Sequence, residues 1–219
     1  LDDLVRLEIM IGRKLPKVNK IEKRKIGIKI ESGNVVGLSL YNLKLKVFPI
    51  VLTNITSLKY LFLRNNELNT FPNSINELKS LKCLVLEDNC LEMVPKSLNK
   101  LKSLEYLFLG NNKLKKISES IFTLKSLKKI DFHNNFITSL PKSIKNLSLF
   151  KNSTTNFEKI DKKQAEILNS LEILSGKKLP IVDEVNEWGN GVKIKENKIV
   201  GLNLSHYGVR KLPNSIWNL

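Results

Sequence analysis

Two cysteines and two histidines among 219 residues leave this chain little to do chemistry with. Two thiols cannot staple a disulfide-rich secreted module, and they make a poor metal site. Cys83 and Cys90 therefore read as free thiols in a reducing compartment, and a cytoplasmic setting is expected. Neither His133 nor His206 stands in a metal-ligand spacing or a nucleophile motif. Asp131 and His133 alternate onto one strand face, but no Ser or Cys nucleophile accompanies them, so a polar surface pair is the stronger reading. No glycine-rich phosphate loop is present, and no apolar run approaches a membrane span. Acidic residues are scarce as well, 21 against 37 basic ones, for a net charge of +16. These shortages point to a non-enzyme without cofactor or metal.

Leucine and asparagine are abundant, and they are periodic. The segments that start at Leu58, Leu81, Leu104 and Leu127 each read L-x-x-L/I-x-L/F-x-x-N-x-L/I, one unit every 23 residues. The units end on Phe71, Val94, Ile117 and Leu140, and Pro72, Pro95 and Pro141 follow three of them. Leu61 and Leu63 alternate with Tyr60, Phe62 and Arg64, which is the period of a strand with one face inward. The return segment P-x-S-I-x-x-L, as in Pro72 to Leu78, places Pro where a helical turn begins and sets Ile75 and Leu78 on one inward face.

Four in-phase copies of this motif resemble the leucine-rich repeat family, over about two-thirds of the chain. The resemblance implies an α/β solenoid: a leucine-rich repeat horseshoe with a parallel concave sheet and short helical or 3₁₀ turns on the convex side. It also implies that Asn66, Asn89, Asn112 and Asn135 form a ladder whose amides bond turn backbone, while the neighbouring Asn111 is an exposed residue that tolerates change. The L-P-x-S-I-x-x-L class is similar to repeats of intracellular Ras-binding scaffolds and Roco-type GTPases. A signalling role and a small-GTPase partner follow from that similarity alone.

A further repeat starts at Val35, with Leu43 in the ladder position, so its turn is expected to be atypical. A longer duplication overlies the short one. Residues 7–55 align without gaps to residues 171–219, L-E-I-M-I-G-R-K-L-P against L-E-I-L-S-G-K-K-L-P, at an offset of 164. What recurs is a cap of helix plus strand followed by one repeat. Gly12 and Gly176 stand as helix stops, Asp161 and Gln164 have capping-box spacing, and Ser32-Gly33-Asn34 marks a turn. The expected organisation is an N-terminal cap over 1–34, five repeats over 35–149, a connector over 150–160, a second cap over 161–198 and the first repeat of a second array over 199–219. Both ends read as cut, so the natural protein is expected to continue.

The basic charge invites a nucleic-acid or anionic-membrane reading. Its placement disfavours that, because Lys79, Lys82, Lys100, Lys102, Lys125 and Lys128 fall on return paths and repeat joints. The strand register instead defines three outward lanes: Gly37, Tyr60, Cys83, Tyr106, Lys129; then Ser39, Phe62, Val85, Phe108, Asp131; then Tyr41, Arg64, Glu87, Gly110, His133. Tyr60, Phe62, Cys83, Val85, Tyr106 and Phe108 are expected to form one exposed apolar patch, rimmed by Arg64, Glu87, Lys129, Asp131 and His133. Such a patch suits a protein partner, and self-association or cover by the same chain are the alternatives. A non-enzymatic interaction scaffold is the leading function. The recognition part of a larger ubiquitin ligase, kinase or GTPase is the alternative.

Overall fold

The computed structural model describes residues 2–137, 162–177, 191–196 and 198–204, together with positions 179, 212 and 216. Helix α1 spans Asp2–Ile11, with Asp2 and Asp3 in the first turn, where carboxylates favour the helix dipole. Gly12 ends it at φ +68°, a left-handed conformation that glycine enters without a Cβ clash. Strands β1 (Gly27–Glu31) and β2 (Asn34–Ser39) form a hairpin through Ser32 and Gly33, both at positive φ. The ladder shifts between Lys29 and Ile30, leaving Val36 as an extra residue of β2.

From β2 onward the sheet is parallel: β3 (Tyr60–Phe62), β4 (Cys83–Val85), β5 (Tyr106–Phe108) and β6 (Lys129–Asp131) follow in spatial order. Each strand advances one repeat, so Leu38, Leu61, Leu84, Leu107 and Ile130 lie side by side. Four 3₁₀ turns line the convex side, at Ile50–Asn54, Asn73–Glu77, Lys96–Lys100 and Glu119–Thr123. Pro49, Pro72 and Pro95 precede the first three, and Ser118 replaces proline before the fourth, its hydroxyl accepting the Ser120 N–H. The convex lysines Lys79, Lys82, Lys100, Lys102, Lys125 and Lys128 are all exposed.

Asn66, Asn89, Asn112 and Asn135 are buried and bridge successive repeats. The Asn112 amide donates to the Leu109 carbonyl of its own turn at 3.0 Å and to Leu86 of the preceding repeat at 2.9 Å. Its oxygen accepts the Leu91 N–H at 2.9 Å. The atypical first turn is solved from the next repeat: the Asn66 oxygen accepts both the Leu43 and Leu45 N–H groups, with Asn42 and Lys44 at positive φ. A second polar row runs beside the ladder. Asn65, Asp88, Asn111 and Asn134 all hold φ between +54° and +58°. Asn111 donates to Asp88 at 2.6 Å and accepts from Asn134 at 2.7 Å. The expectation that Asn111 is a tolerant exposed residue is therefore corrected: it sits half-buried in a strained turn and ties three repeats together.

The cap closes the array at β1, whose outer edge is bridged by Lys17 through the Val18 N–H to the Ile28 carbonyl and the Ile28 N–H to the Pro16 carbonyl. Leu7 of α1 enters the leucine core. The second unit repeats this construction. Strands β7 (Gly191–Lys195) and β8 (Lys198–Asn203) pair in the register of β1 and β2, with the same shift, between Lys193 and Ile194. The Glu8 carboxylate accepts the Leu15 N–H at 2.8 Å, and Glu172 accepts the Leu179 N–H at 2.8 Å. Helix α2 (Lys162–Ser175) carries Ile167, Leu168 and Leu171 into the core of this second unit. On its other side Leu174 joins the leucine core of the first array. The end of that array at 149, the connector over 150–160, Leu140, Pro141 and the capping-box residue Asp161 lie outside the described residues.

Asn112→Leu strands several buried groups and should lower stability by about 3 kcal/mol, at about 1–3 kcal/mol for each unpaired group. Asn111→Leu places a branched side chain in the left-handed region and should cost about 1–2 kcal/mol. Denaturant titration of both variants measures the order, and a neutral Asn111→Leu would contradict the second row.

Candidate functional site

The parallel register assembles the concave lanes as pairs of neighbours. Tyr60, Cys83, Tyr106 and Lys129 lie across one row, and Phe62, Val85, Phe108 and Asp131 across the next. The third row follows the strands: Arg64 Nε donates to Asp88 at 2.7 Å and its guanidinium lies 3.8 Å from Glu87. His133 fills the gap above Gly110, where any Cβ would collide with the imidazole.

The expected exposed patch is not open, and this is the main correction to the sequence reading. Phe62, Cys83 and Val85 are buried, Val85 completely, in a cluster with Ile21 and Phe108. Between the edge bridge and β1 the chain forms a strap from which Ile21 and Lys23 reach over the concave face. Ile21 lies over Gly37, where an added Cβ would stand 2.5 Å from Ile21 Cγ1. Lys23 then reaches further along the sheet. Its ammonium is 3.0 Å from the Glu87 carboxylate and 3.4 Å from the centre of the Phe108 ring. A cation over an aromatic face and beside a largely buried carboxylate is held twice, by the ring quadrupole and by charge. Tyr60 and Tyr106 remain 36% and 37% exposed, so the open concave surface is the tyrosine row with Lys129, flanking the strap.

Sequence reasoning missed Ile21 and Lys23. The signal available was Gly37: the other members of its row are Tyr, Cys, Tyr and Lys, and a missing side chain marks a close approach.

Burial pushes the Cys83 thiol up to about 12 and makes it a poor nucleophile at neutral pH. Both cysteines are free, and Cys90 is the more accessible. At the β6 edge, His133 Nδ1 and Asp131 Oδ1 are 2.8 Å apart. Burial alone would raise the Asp131 carboxyl, but hydrogen bonds from the His133 ring and backbone N–H outweigh it and hold the carboxyl below its ordinary value. The bond to Asp131 raises His133 against the opposing effect of burial, with Glu87 and Asp88 adding to the rise. Among the described residues no group of three or more His, Cys, Asp or Glu could hold a metal ion. No helix among them is long and apolar enough to cross a membrane.

The strap has a direct readout in thiol chemistry. Ile21→Ala should raise the rate at which Cys83 is labelled by a thiol reagent about tenfold, with Cys90 unchanged as the internal reference. Equal Cys83 rates in the two proteins would mean that Ile21 does not shield this row. The His133–Asp131 pair should make stability depend on pH. His133 has a raised folded value, so its contribution is complete below its ordinary value and is lost as pH rises through the raised one. Asp131 has a lowered value, so its contribution holds above its ordinary value and is lost as pH falls through the lowered one. His133→Gln should therefore flatten the decline in melting temperature as pH rises above the ordinary value of a histidine. An unchanged profile would remove the pair as a source of stability.

Family models for leucine-rich repeats match residues 57–78, 79–121 and 102–144. No curated protein matches the chain. A leucine-rich repeat protein of Leptospira interrogans is 37% identical, with a TM-score of 0.50 over 51% of this chain and 29% of its own. The Arabidopsis receptor kinase HAESA, solved in complex with the peptide hormone IDA and a co-receptor, is 28% identical, with a TM-score of 0.52 over 60% of this chain and 24% of that one. The BIR3–SERK2 complex from Arabidopsis thaliana, at 23% identity and a TM-score of 0.51 over 63% of this chain and 78% of that one, shares the fold. The chain thus spans under a third of the Leptospira protein and about a quarter of the receptor kinase. Residues 57–144 are leucine-rich repeats, and the parallel strands β2 to β6 with their 3₁₀ turns form a leucine-rich repeat solenoid.

Proposed function

We propose that this chain is a non-enzymatic scaffold that holds a protein partner on its concave face. Solenoids of this kind present extended concave surfaces for binding. The observation that carries the reading is the open tyrosine row: Tyr60 and Tyr106 stand one repeat apart on each side of buried Cys83, with exposed Lys129 continuing the row. With strands about 4.8 Å apart, the two rings lie within reach of one bound segment. Tyrosines on a rigid sheet are typical interface anchors, because they bring large area at small entropic cost. Beyond the tyrosine row, Phe62, Val85, Phe108 and Cys83 form the floor beneath the strap, Asp131 ends the Phe62 row, and Arg64, Glu87 and His133 make up a polar third row. HAESA, of similar fold, was solved with a peptide hormone, which supports a peptide-like partner here. An intracellular signalling setting is part of the reading, and the two free thiols support it.

Tyr60→Ser with Tyr106→Ser should leave the melting temperature within about 2 °C of the parent, because both rings face outward, yet weaken partner binding more than about thirtyfold, as for anchors worth about 2 kcal/mol. Phe62→Ser should instead lower the melting temperature, since Phe62 packs in the buried cluster with Ile21. Pull-down from the source cell followed by titration measures the first, and a partner retained at full affinity by the tyrosine variant would refute concave binding on this row.

A further inference from the structure

The two caps are one structure built twice, and they differ in what lies against their helices. Every backbone pair of β1–β2 recurs in β7–β8 at the same offset, and so does the Glu–Leu bond that follows each helix. Positions on α1 and α2 can therefore be compared one to one. Leu174 is 4% exposed because it enters the leucine core of the preceding array. Its counterpart Met10 is 53% exposed. A Cβ on Gly176 would stand 2.8 Å from Asp131 Oδ1 and 3.1 Å from His133 Cβ, whereas a Cβ on its counterpart Gly12 would meet nothing within 4 Å. The end of the helix that α2 presses on an array, at Leu174 and Gly176, thus has its counterpart on α1 uncovered, at Met10 and Gly12. It is also apolar: Val5 and Ile9 are 47% and 74% exposed beside Met10. Val5 stands where α2 carries Asn169, so α1 is the more apolar of the two at that point. A helix whose outer face only met water gains nothing from three large apolar residues there.

We propose that the outer face of α1, formed by Val5, Ile9 and Met10, docks on the open C-terminal end of another leucine-rich repeat array, as α2 docks on β6. The occupant follows from the duplicate. An array ends on a last strand over a leucine core, as β6 does against α2 here, where Leu174 joins that core. This chain's own first array cannot supply that end, because α2 already covers it. The caps then serve as couplings as well as lids, each joining the array it starts to the end of a different one. The surface is separate from the concave tyrosine row, and the two readings stand or fall independently.

The test uses the full chain. Leu174→Asp with Gly176→Val sets a carboxylate in the leucine core and a branched side chain at φ +67° against Asp131, which opens the end of the first array. Opened chains should associate head to tail, α1 of one on β6 of the next, at a concentration at least about tenfold lower than the unaltered chain needs. Sedimentation velocity reads this directly. Adding Ile9→Asp and Met10→Asp, at exposed positions that leave the fold alone, should return the opened chain to the behaviour of the unaltered one. Gly176→Val alone gives the same comparison with the leucine core intact, should the double variant fail to fold. Opened chains no more associated than the parent, or association that ignores the α1 substitutions, would overturn the proposal.

Discussion

Each turn of this solenoid has backbone groups that its own residues cannot satisfy, and the structure depends on how the next repeat satisfies them. A buried N–H or carbonyl without a partner costs more than most side-chain contacts return. Asn66, Asn89, Asn112 and Asn135 resolve this by reaching both into their own turn and back by one repeat. The leucine core then has a fixed spacing to fill, and the parallel sheet a fixed register. The same dependence explains the first repeat, where Asn66 serves Leu43 and Leu45 because that repeat has no ladder asparagine of its own. Stability is passed from neighbour to neighbour, and the two ends are the places where the chain must bring in something else.

The cap supplies that at one end, and it does more than close the edge. After bridging β1, the chain reaches over the concave face with Ile21 and Lys23. The strap divides the concave face into a buried floor and an open tyrosine row. Glu87, largely buried, is tolerable because Lys23 and Arg64 both face it. The floor residues Phe62, Val85 and Cys83 thereby contribute to stability, and Tyr60, Tyr106 and Lys129 are the members of these rows left exposed.

The second helix-plus-hairpin unit shows how such a unit meets the array before it. Helix α2 gives Leu171 to its own unit and Leu174 to the array before it, so a single helix is the wall between two leucine cores. The Asp131–His133 pair also has a neighbour in Gly176, at φ +67°, where an added Cβ would press on the Asp131 carboxylate.

The period, the ladder, the row membership of Tyr60, Cys83 and Tyr106, the 3₁₀ return turns and the recurrence of one helix-plus-strand unit at an offset of 164 were legible in the sequence, because each is a local pattern repeated at a fixed spacing. The second polar row went unread and Asn111 was taken as tolerant, although the Asn-Asn and Asp-Asn pairs at 65–66, 88–89, 111–112 and 134–135 carried its signal, since Asn and Asp tolerate the left-handed turn. Only the tertiary structure decided which outward residues stay outward. Alternation along a strand says that Phe62 and Val85 leave the leucine core; it says nothing of a segment forty residues earlier that returns to cover them. Nor does helical periodicity tell which face of α2 meets the preceding array, because Leu171 and Leu174 are both leucines with inward spacing. These outcomes rest on contacts between parts of the chain that share no period, and they were fixed by which apolar surfaces remained uncovered once the repeats had stacked.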